Sequence, residues 1–258
     1  MINAAFAVLL GALVVFGIRD LSGKKNPWTV IGWALVAAAW LAIGVFLGTR
    51  WIKSGHAPMS NQYESVIFLN WAFLGLALLV GREFPVRSPG LWIALFSSLL
   101  LALASLLDSA AHPLVPALQS DWLLLHVSVT MAAYAALAIG FLSAIACLWT
   151  QKIRRRSTDK QFDGFAYRCI SLGFVLLTIG IILGAVWANE AWGSYWSWDP
   201  KETWSLITWF VYALALHLHQ TKGWRGSSFA AVNASGFLCV AFTYFGVNYL
   251  MSGLHAYR

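Results

Sequence analysis

The chain has 258 residues, of which 60% are hydrophobic and only 10% are charged, and its mean hydropathy is +0.70. A soluble protein of this length could not bury so much apolar surface, so the composition excludes a soluble class and indicates a polytopic membrane protein. The net charge of +7 is explained by basic loops at a membrane surface, and no nucleic-acid partner is expected.

Eight apolar stretches predict eight transmembrane segments, because each is near the ~20 residues that a bilayer requires. Backbone groups cannot stay unpaired in lipid, so the segments must be helices and the fold class is all-α. The predicted spans cover residues 2–18, 28–48, 63–80, 90–107, 122–149, 166–188, 204–219 and 228–251. The seventh span is short, and its inner end is left open.

Basic residues predict the orientation of these spans. The loops after spans one, three, five and seven carry all but four of the 17 lysines and arginines; the exceptions are Arg50, Lys53, Lys201 and Arg258. By the positive-inside rule, both termini then lie on the external side. The first apolar segment lacks a basic leader and a cleavage site, which predicts a retained span in contact with the lipid bilayer.

The segment 192–204, between spans six and seven, is the most informative part of the chain. Four tryptophans and a tyrosine surround Asp199, Lys201 and Glu202 there. A membrane-interface belt would explain only one or two of these aromatic residues. Flat apolar faces beside a few polar groups suit a large planar ligand with a polar edge, and porphyrin fits that description.

Histidines are the candidate iron ligands. His126 lies near the start of span five, and His255 directly follows span eight. Both are predicted on the same side of the membrane as the aromatic segment, so together they can ligate one haem. His217 and His219 lie roughly 20 Å further in along span seven, on different helix faces. A six-coordinate haem at that depth needs its second ligand from another polypeptide.

The other histidines and the cysteines have simpler interpretations. His56 and His112 are expected to be solvated loop residues. The three cysteines are widely separated and form no Cys-x-x-Cys pair, so thiol–disulfide relay chemistry is not expected in this chain.

Four separated motifs resemble a known family. Residues 192–204 resemble the tryptophan-rich WWD signature of membrane haem-handling proteins, and the form Trp-Asp-Pro-Lys-Glu-Thr-Trp at 198–204 resembles the CcsA/ResC branch of system II cytochrome c biogenesis. The family's first external motif is resembled by residues 58–65. The segment that leads to its first external histidine is resembled by residues 114–122, and its C-terminal end by residues 253–257. We therefore expect two N-terminal helices in residues 1–57 and a haem-handling assembly domain in residues 58–258, with the WWD loop at 192–204.

The resemblance implies a set of site residues. The external axial ligands to haem iron fall on His126 and His255, and the transmembrane ligand falls on His217, with His219 as a second candidate. The residues implied to contact haem in the WWD loop are Trp192, Gly193, Tyr195, Trp196, Trp198, Asp199, Pro200, Lys201, Glu202 and Trp204.

The resemblance also implies the function. Haem b would be carried to the external face and presented to the Cys-x-x-Cys-His motif of apocytochrome c, where two thioether bonds form. This cytochrome c synthase (haem lyase) activity would require a CcsB/ResB-type membrane partner, with thiol-reducing proteins acting upstream. The expected location is an inner or plasma membrane, or a thylakoid membrane, with the active site on the periplasmic or lumenal side.

Three other interpretations remain open. A system I type WWD protein would load haem onto a carrier without making thioethers, but the Asp-Pro-Lys-Glu sequence after the tryptophans argues against it. A cytochrome b-type electron-transfer anchor would need paired histidines at both depths and no aromatic external loop. A channel or solute carrier is the least specific alternative.

Overall fold

The computed structural model describes residues 1–22, 27–86, 88–110, 114–154 and 160–254. Throughout these ranges the regular structure is helical and no strand occurs, which confirms the all-α class. The main helices are α1 (Ile2–Ser22), α2 (Trp28–Ser54), α3 (Gln62–Val80), α4 (Pro89–Ala104), α5 (Asp121–Arg154), α6 (Lys160–Trp192), α7 (Pro200–Thr221) and α8 (Gly226–Ala241). Helix α8 continues through a π-helical turn (Phe242–Gly246) into the short α9 (Val247–Leu250).

Six helices of the described chain are long and apolar enough to cross a membrane, which confirms the polytopic membrane class. They contain α1, α2, α3, α5, α6 and α8. Helix α4 has only 16 residues, and α7 carries charged residues in its first turn and histidines near its end. The predicted total of eight spans and the external position of both termini stay predictions.

Several helices are longer than the predicted spans. Helix α2 continues to Ser54 and ends at Gly55, which adopts a left-handed conformation with φ of +74°. Helices α5 and α6 extend into the polar stretch between the predicted spans 122–149 and 166–188. Lysine, arginine and glutamine are good helix formers, so polarity alone does not end a helix there.

The helices group into two compact units, Met1–Leu114 and Val115–Arg258. The division at residues 57 and 58 expected from the family resemblance concerns function and stays a prediction.

In the first unit, the motif at 58–65 joins three segments. The Asn61 side chain accepts the Glu64 backbone N–H at 2.9 Å and so caps α3. The fully buried Glu64 carboxylate accepts bonds from Arg50 Nε at 2.5 Å and from the Ser60 backbone and hydroxyl at 2.8 and 2.7 Å. Arg50 also donates to the carbonyl of Ser109, beyond α4, at 2.9 Å. This motif is therefore structural in the first unit.

In the second unit, α5 and α6 form a closely packed pair. A Cβ added at Gly173 or Gly180 would come within 2.6 Å of the side chains of Leu137 and Thr130 respectively, so glycine permits the close approach. Asn233 of α8 donates to the carbonyl of Gly140 of α5 at 2.8 Å. The hydrogen bond between His126 and the Gly180 carbonyl brings the start of α5 to the second half of α6, and residues 193–199 connect the end of α6 directly to the start of α7.

Candidate haem site

The aromatic loop begins where α6 ends at Trp192 and the chain turns at Gly193, whose φ is +74°. Among the described residues, Trp198 is the one non-glycine residue with a positive φ, at +59°. Such a conformation costs a non-glycine residue ~1–2 kcal/mol, so the surroundings must hold it.

The Glu202 carboxylate holds Trp198 from both sides. One of its oxygens, Oε2, accepts the backbone N–H of Ser197 at 2.8 Å and that of Asp199 at 3.2 Å. These two residues flank Trp198, so the left-handed residue lies between two fixed peptide groups. The Trp198 indole is 69% exposed and meets Trp196 edge to face, with ring centroids 5.7 Å apart.

Asp199 caps α7 and also binds the C-terminal segment. Its Oδ1 accepts the Lys201 N–H at 2.9 Å, and with Glu202 it forms a capping box that has Pro200 at the first helical position. Its Oδ2 accepts the N–H of Leu254 at 2.6 Å. Both carboxylates are buried, so Asp199 and Glu202 order the loop.

Lys201 and Trp204 lie in the first turns of α7. Burial lowers the pKa of Lys201 to about 8, and the Asp199 carboxylate offsets part of that change. Trp204 is half-buried and packs on Phe242 of the π-helical turn, with ring centroids 4.2 Å apart. Tyr195, in contrast, is 60% exposed beside the loop's tryptophans.

His126 is held by α6. Its Nδ1 lies 2.7 Å from the carbonyl oxygen of Gly180. A carbonyl can only accept, so Nδ1 carries the proton and the imidazole lone pair is on Nε2, the nitrogen suited to bind iron. The imidazole stacks on Trp187 with centroids 6.3 Å apart and planes 10° apart.

Trp187 connects His126 to the aromatic loop. Its indole is 4% exposed and meets Trp192 edge to face at 4.6 Å. Its Nε1 donates to the carbonyl of Ala117 at 2.9 Å. The sequence reasoning missed Trp187, because one tryptophan in an apolar run looks like a core residue. The available signal is its spacing of seven from Gly180 and three from Gly184, which puts all three residues on one helix face.

Trp187 therefore contacts both His126 and Trp192. Trp196 and Trp198 contact each other just before α7 begins. His255 lies outside the described residues. The segment just before it reaches the loop, because a Cβ on Gly253 would meet the Asp199 carboxylate.

The inner histidines occupy opposite environments, as their spacing predicts. His219 is 8% exposed; Tyr167 stacks on its ring with centroids 4.5 Å apart, and Phe229 packs against it at 4.4 Å in a tilted arrangement. Its Nε2 is enclosed, with no hydrogen-bond partner in the described chain. His217 is exposed, on the face of α7 that also exposes Phe210 and Leu214. Of the two imidazoles, His217 is the accessible one.

Comparison with known proteins gives concordant matches. Residues 59–255 match the family model described as cytochrome C assembly protein. The chain is 40% identical to the cytochrome c biogenesis protein CcsA of Mesostigma viride, over 99% of this chain and 95% of that protein. It is 44% identical to the CcsA protein of Synechococcus sp. (strain CC9902), over 98% of this chain and 94% of that protein.

A solved structure shares the fold. The cytochrome c haem lyase CcmF aligns with a TM-score of 0.67 over 98% of this chain, at 20% sequence identity. The chain spans 46% of the length of CcmF, so the likeness concerns architecture.

Proposed function

The chain belongs to the CcsA family of cytochrome c biogenesis proteins and acts in cytochrome c maturation, and we propose that it is the haem-presenting membrane subunit of a cytochrome c synthase. In this role it carries haem b to the external face and offers it to the Cys-x-x-Cys-His motif of apocytochrome c. Two features carry the proposal: the His126 imidazole has its lone pair on Nε2, and the aromatic loop after α6 exposes the rings of Tyr195 and Trp198.

The external site uses His126 and His255 as axial ligands and the WWD loop as a platform. The residues present fit a porphyrin, because Tyr195 and Trp198 offer flat, exposed faces and Trp196 supports Trp198 from the side. Each tryptophan offers ~150–250 Å² of contact area, and a stacked ring adds ~0.5–1.5 kcal/mol beyond that area. The strain held at Trp198 supports the same assignment, because such conformations cluster at functional sites.

The proposed reaction adds each cysteine S–H across a haem vinyl C=C bond. One S–C bond and one C–H bond form for each vinyl group, so the step consumes no oxidant or reductant. The protein contributes mainly by positioning haem and thiols in near-attack geometry, an effect that can supply several kcal/mol. The client thiols must arrive reduced, which assigns that task to separate thiol-reducing proteins.

The inner site takes His217 as its ligand from this chain and a histidine from a CcsB/ResB-type partner. The exposed position of His217 supports this assignment, because a shared ligand must face outward. The ring of His219 is unsuited to the role, since it is buried and packs against two aromatic side chains, Tyr167 and Phe229. Haem would move from this site to the periplasmic or lumenal side of the membrane.

Single substitutions His126→Ala and His255→Ala, made in the complex with the partner, test the proposal. Each should lower the yield of holocytochrome c, and added imidazole should partly restore it by replacing the missing ligand. His56→Ala is the control, because His56 lies in the loop after α2, and in the described contacts its ring bonds only the carbonyl of the neighbouring Ala57. Normal cytochrome assembly in both ligand variants would overturn the proposal, whereas haem transfer to a carrier without thioethers would favour the system I type.

A further inference from the structure

We propose that one face of α6, formed by Gly180, Gly184 and Trp187, sets the tautomer and ring plane of His126, and that Trp187 is a positioning residue for the external haem ligand. The inference rests on the proposed role of His126 as that ligand. We call these three residues the α6 cradle.

Helix geometry puts the three residues on one face, since they are separated by four and then three positions. Gly180 supplies the carbonyl that fixes the Nδ1 proton at 2.7 Å. Gly184 supplies space: a Cβ there would lie 2.7 Å from Cε1 and 2.8 Å from Nδ1 of His126. Real Cβ atoms essentially never come so close, so any side chain at 184 must displace the imidazole.

Trp187 fixes the plane of the ring from the third position. Its indole lies nearly parallel to the imidazole, at 10°. The indole cannot turn freely, because Nε1 is bonded to Ala117 in the 3-10 turn Pro116–Leu118, before α5. Its edge contact with Trp192 limits it on the loop side.

The cradle has a chemical consequence at Nε2. A hydrogen bond from the opposite ring nitrogen raises the basicity of a ligating imidazole and orients it, and losing such a partner typically costs ~10–100-fold in metal affinity. A more basic ligand stabilises ferric over ferrous iron. Disturbing the cradle should therefore weaken haem binding and move the haem midpoint potential in the positive direction.

The test titrates haem into the detergent-purified complex carrying His217→Ala, so that the inner site does not contribute. Gly184→Ala and Trp187→Ala should lower haem affinity by ~10–100-fold, with a positive shift of the midpoint potential. Added imidazole should recover haem retention. Trp187→Phe keeps an aromatic ring over the imidazole, so its affinity should lie between those of wild type and Trp187→Ala.

Gly164→Ala is the matched control. Gly164 lies on the same helix, and a Cβ there meets nothing within 4 Å, so its affinity and potential should stay at wild-type values. The inference is overturned if Gly184→Ala and Trp187→Ala bind haem with wild-type affinity and potential while His126→Ala does not. It is also overturned if added imidazole does not restore haem binding and Trp187→Phe binds haem no better than Trp187→Ala. The lower affinity would then come from lost helix packing. If His126→Ala itself leaves haem binding unchanged, the proposed ligand role fails instead.

Discussion

The left-handed backbone at Trp198 predicts an inversion in the relative stability of glycine and alanine variants. Trp198→Gly and Trp198→Ala both remove the indole and its contact with Trp196, so the loss of side-chain interactions cancels between them. What differs is the backbone, where φ is +59°. Alanine carries the ~1–2 kcal/mol cost of this conformation, whereas glycine carries only its usual entropic cost of ~0.5–1 kcal/mol.

Trp198→Gly should therefore be more stable than Trp198→Ala by about 0.5–1 kcal/mol, the difference between those two costs. In thermal unfolding this corresponds to roughly 1–4 °C for a chain of this size. Trp196 is the matched control position, because its φ is not positive. There the order should reverse, with Trp196→Ala more stable than Trp196→Gly. Haem retention should be poor in both Trp198 variants, since neither offers an indole.

Glu202→Gln tests the cause of the strain. An amide keeps one acceptor oxygen but loses the charge that binds the N–H groups of Ser197 and Asp199, and charge-assisted bonds are worth ~1.5–3 kcal/mol. The backbone at residue 198 should then be free to leave the left-handed region. The stability difference between Trp198→Gly and Trp198→Ala should therefore be smaller when each is combined with Glu202→Gln. The assay is thermal unfolding of the purified complex at fixed detergent and pH. The reasoning would be refuted if Trp198→Ala were more stable than Trp198→Gly. It would also be refuted if Glu202→Gln left the stability difference between these two variants unchanged.

Three further outcomes are expected. His217→Ala should strip co-purified inner haem, while His219→Ala should keep the haem but lower thermal stability by about 1–3 kcal/mol through lost packing; the reverse haem contents would move the site to His219. Trp196→Ala should lower external haem retention more than Lys201→Gln does, because loss of the indole removes its whole stacking area, whereas glutamine keeps much of the lysine side chain; the opposite ranking would indicate propionate pairing. Lys201 precedes the predicted span, and its pKa of about 8 in the folded protein lies below its ordinary ~10.4. The unfolded state then binds more protons between these values, so stability should rise from about pH 8 to pH 10, and this rise should be smaller in Lys201→Gln.

Sequence patterns predicted the parts of the structure that depend on local properties. Hydropathy located α1, α2, α3, α5, α6 and α8, because a bilayer selects long apolar segments. It predicted a short seventh span at 204–219, whereas α7 runs from Pro200 to Thr221, because a capping box and polar residues extend the helix beyond the apolar stretch. The capping box was not predicted, although Asp199, Pro200 and Glu202 stand at its preferred positions.

Long-range features were beyond sequence reasoning. The contact of His126 with Gly180 spans 54 positions and depends on the register between α5 and α6, which hydropathy does not specify. The strain at Trp198 was likewise invisible, because it arises from two hydrogen bonds to one oxygen of Glu202. The side chains packed against α7 decide which inner histidine is enclosed. The sequence could predict only that His217 and His219 lie on different faces of the helix.

The bond between Asp199 and Leu254 has a consequence for the order in which the protein is made. The two partners lie 55 positions apart, so the loop leaves the ribosome well before the residue that satisfies its second carboxylate oxygen. Until α7, α8 and α9 have been inserted, the Asp199 carboxylate can complete its helix cap but not its contact with the later segment. Completion of the platform is thus tied to completion of insertion, which delays full ordering of the loop in a nascent chain. Chains that include or lack Leu254, each stalled through a C-terminal spacer long enough to fill the ribosome exit tunnel, would differ in the protection of the loop from protease.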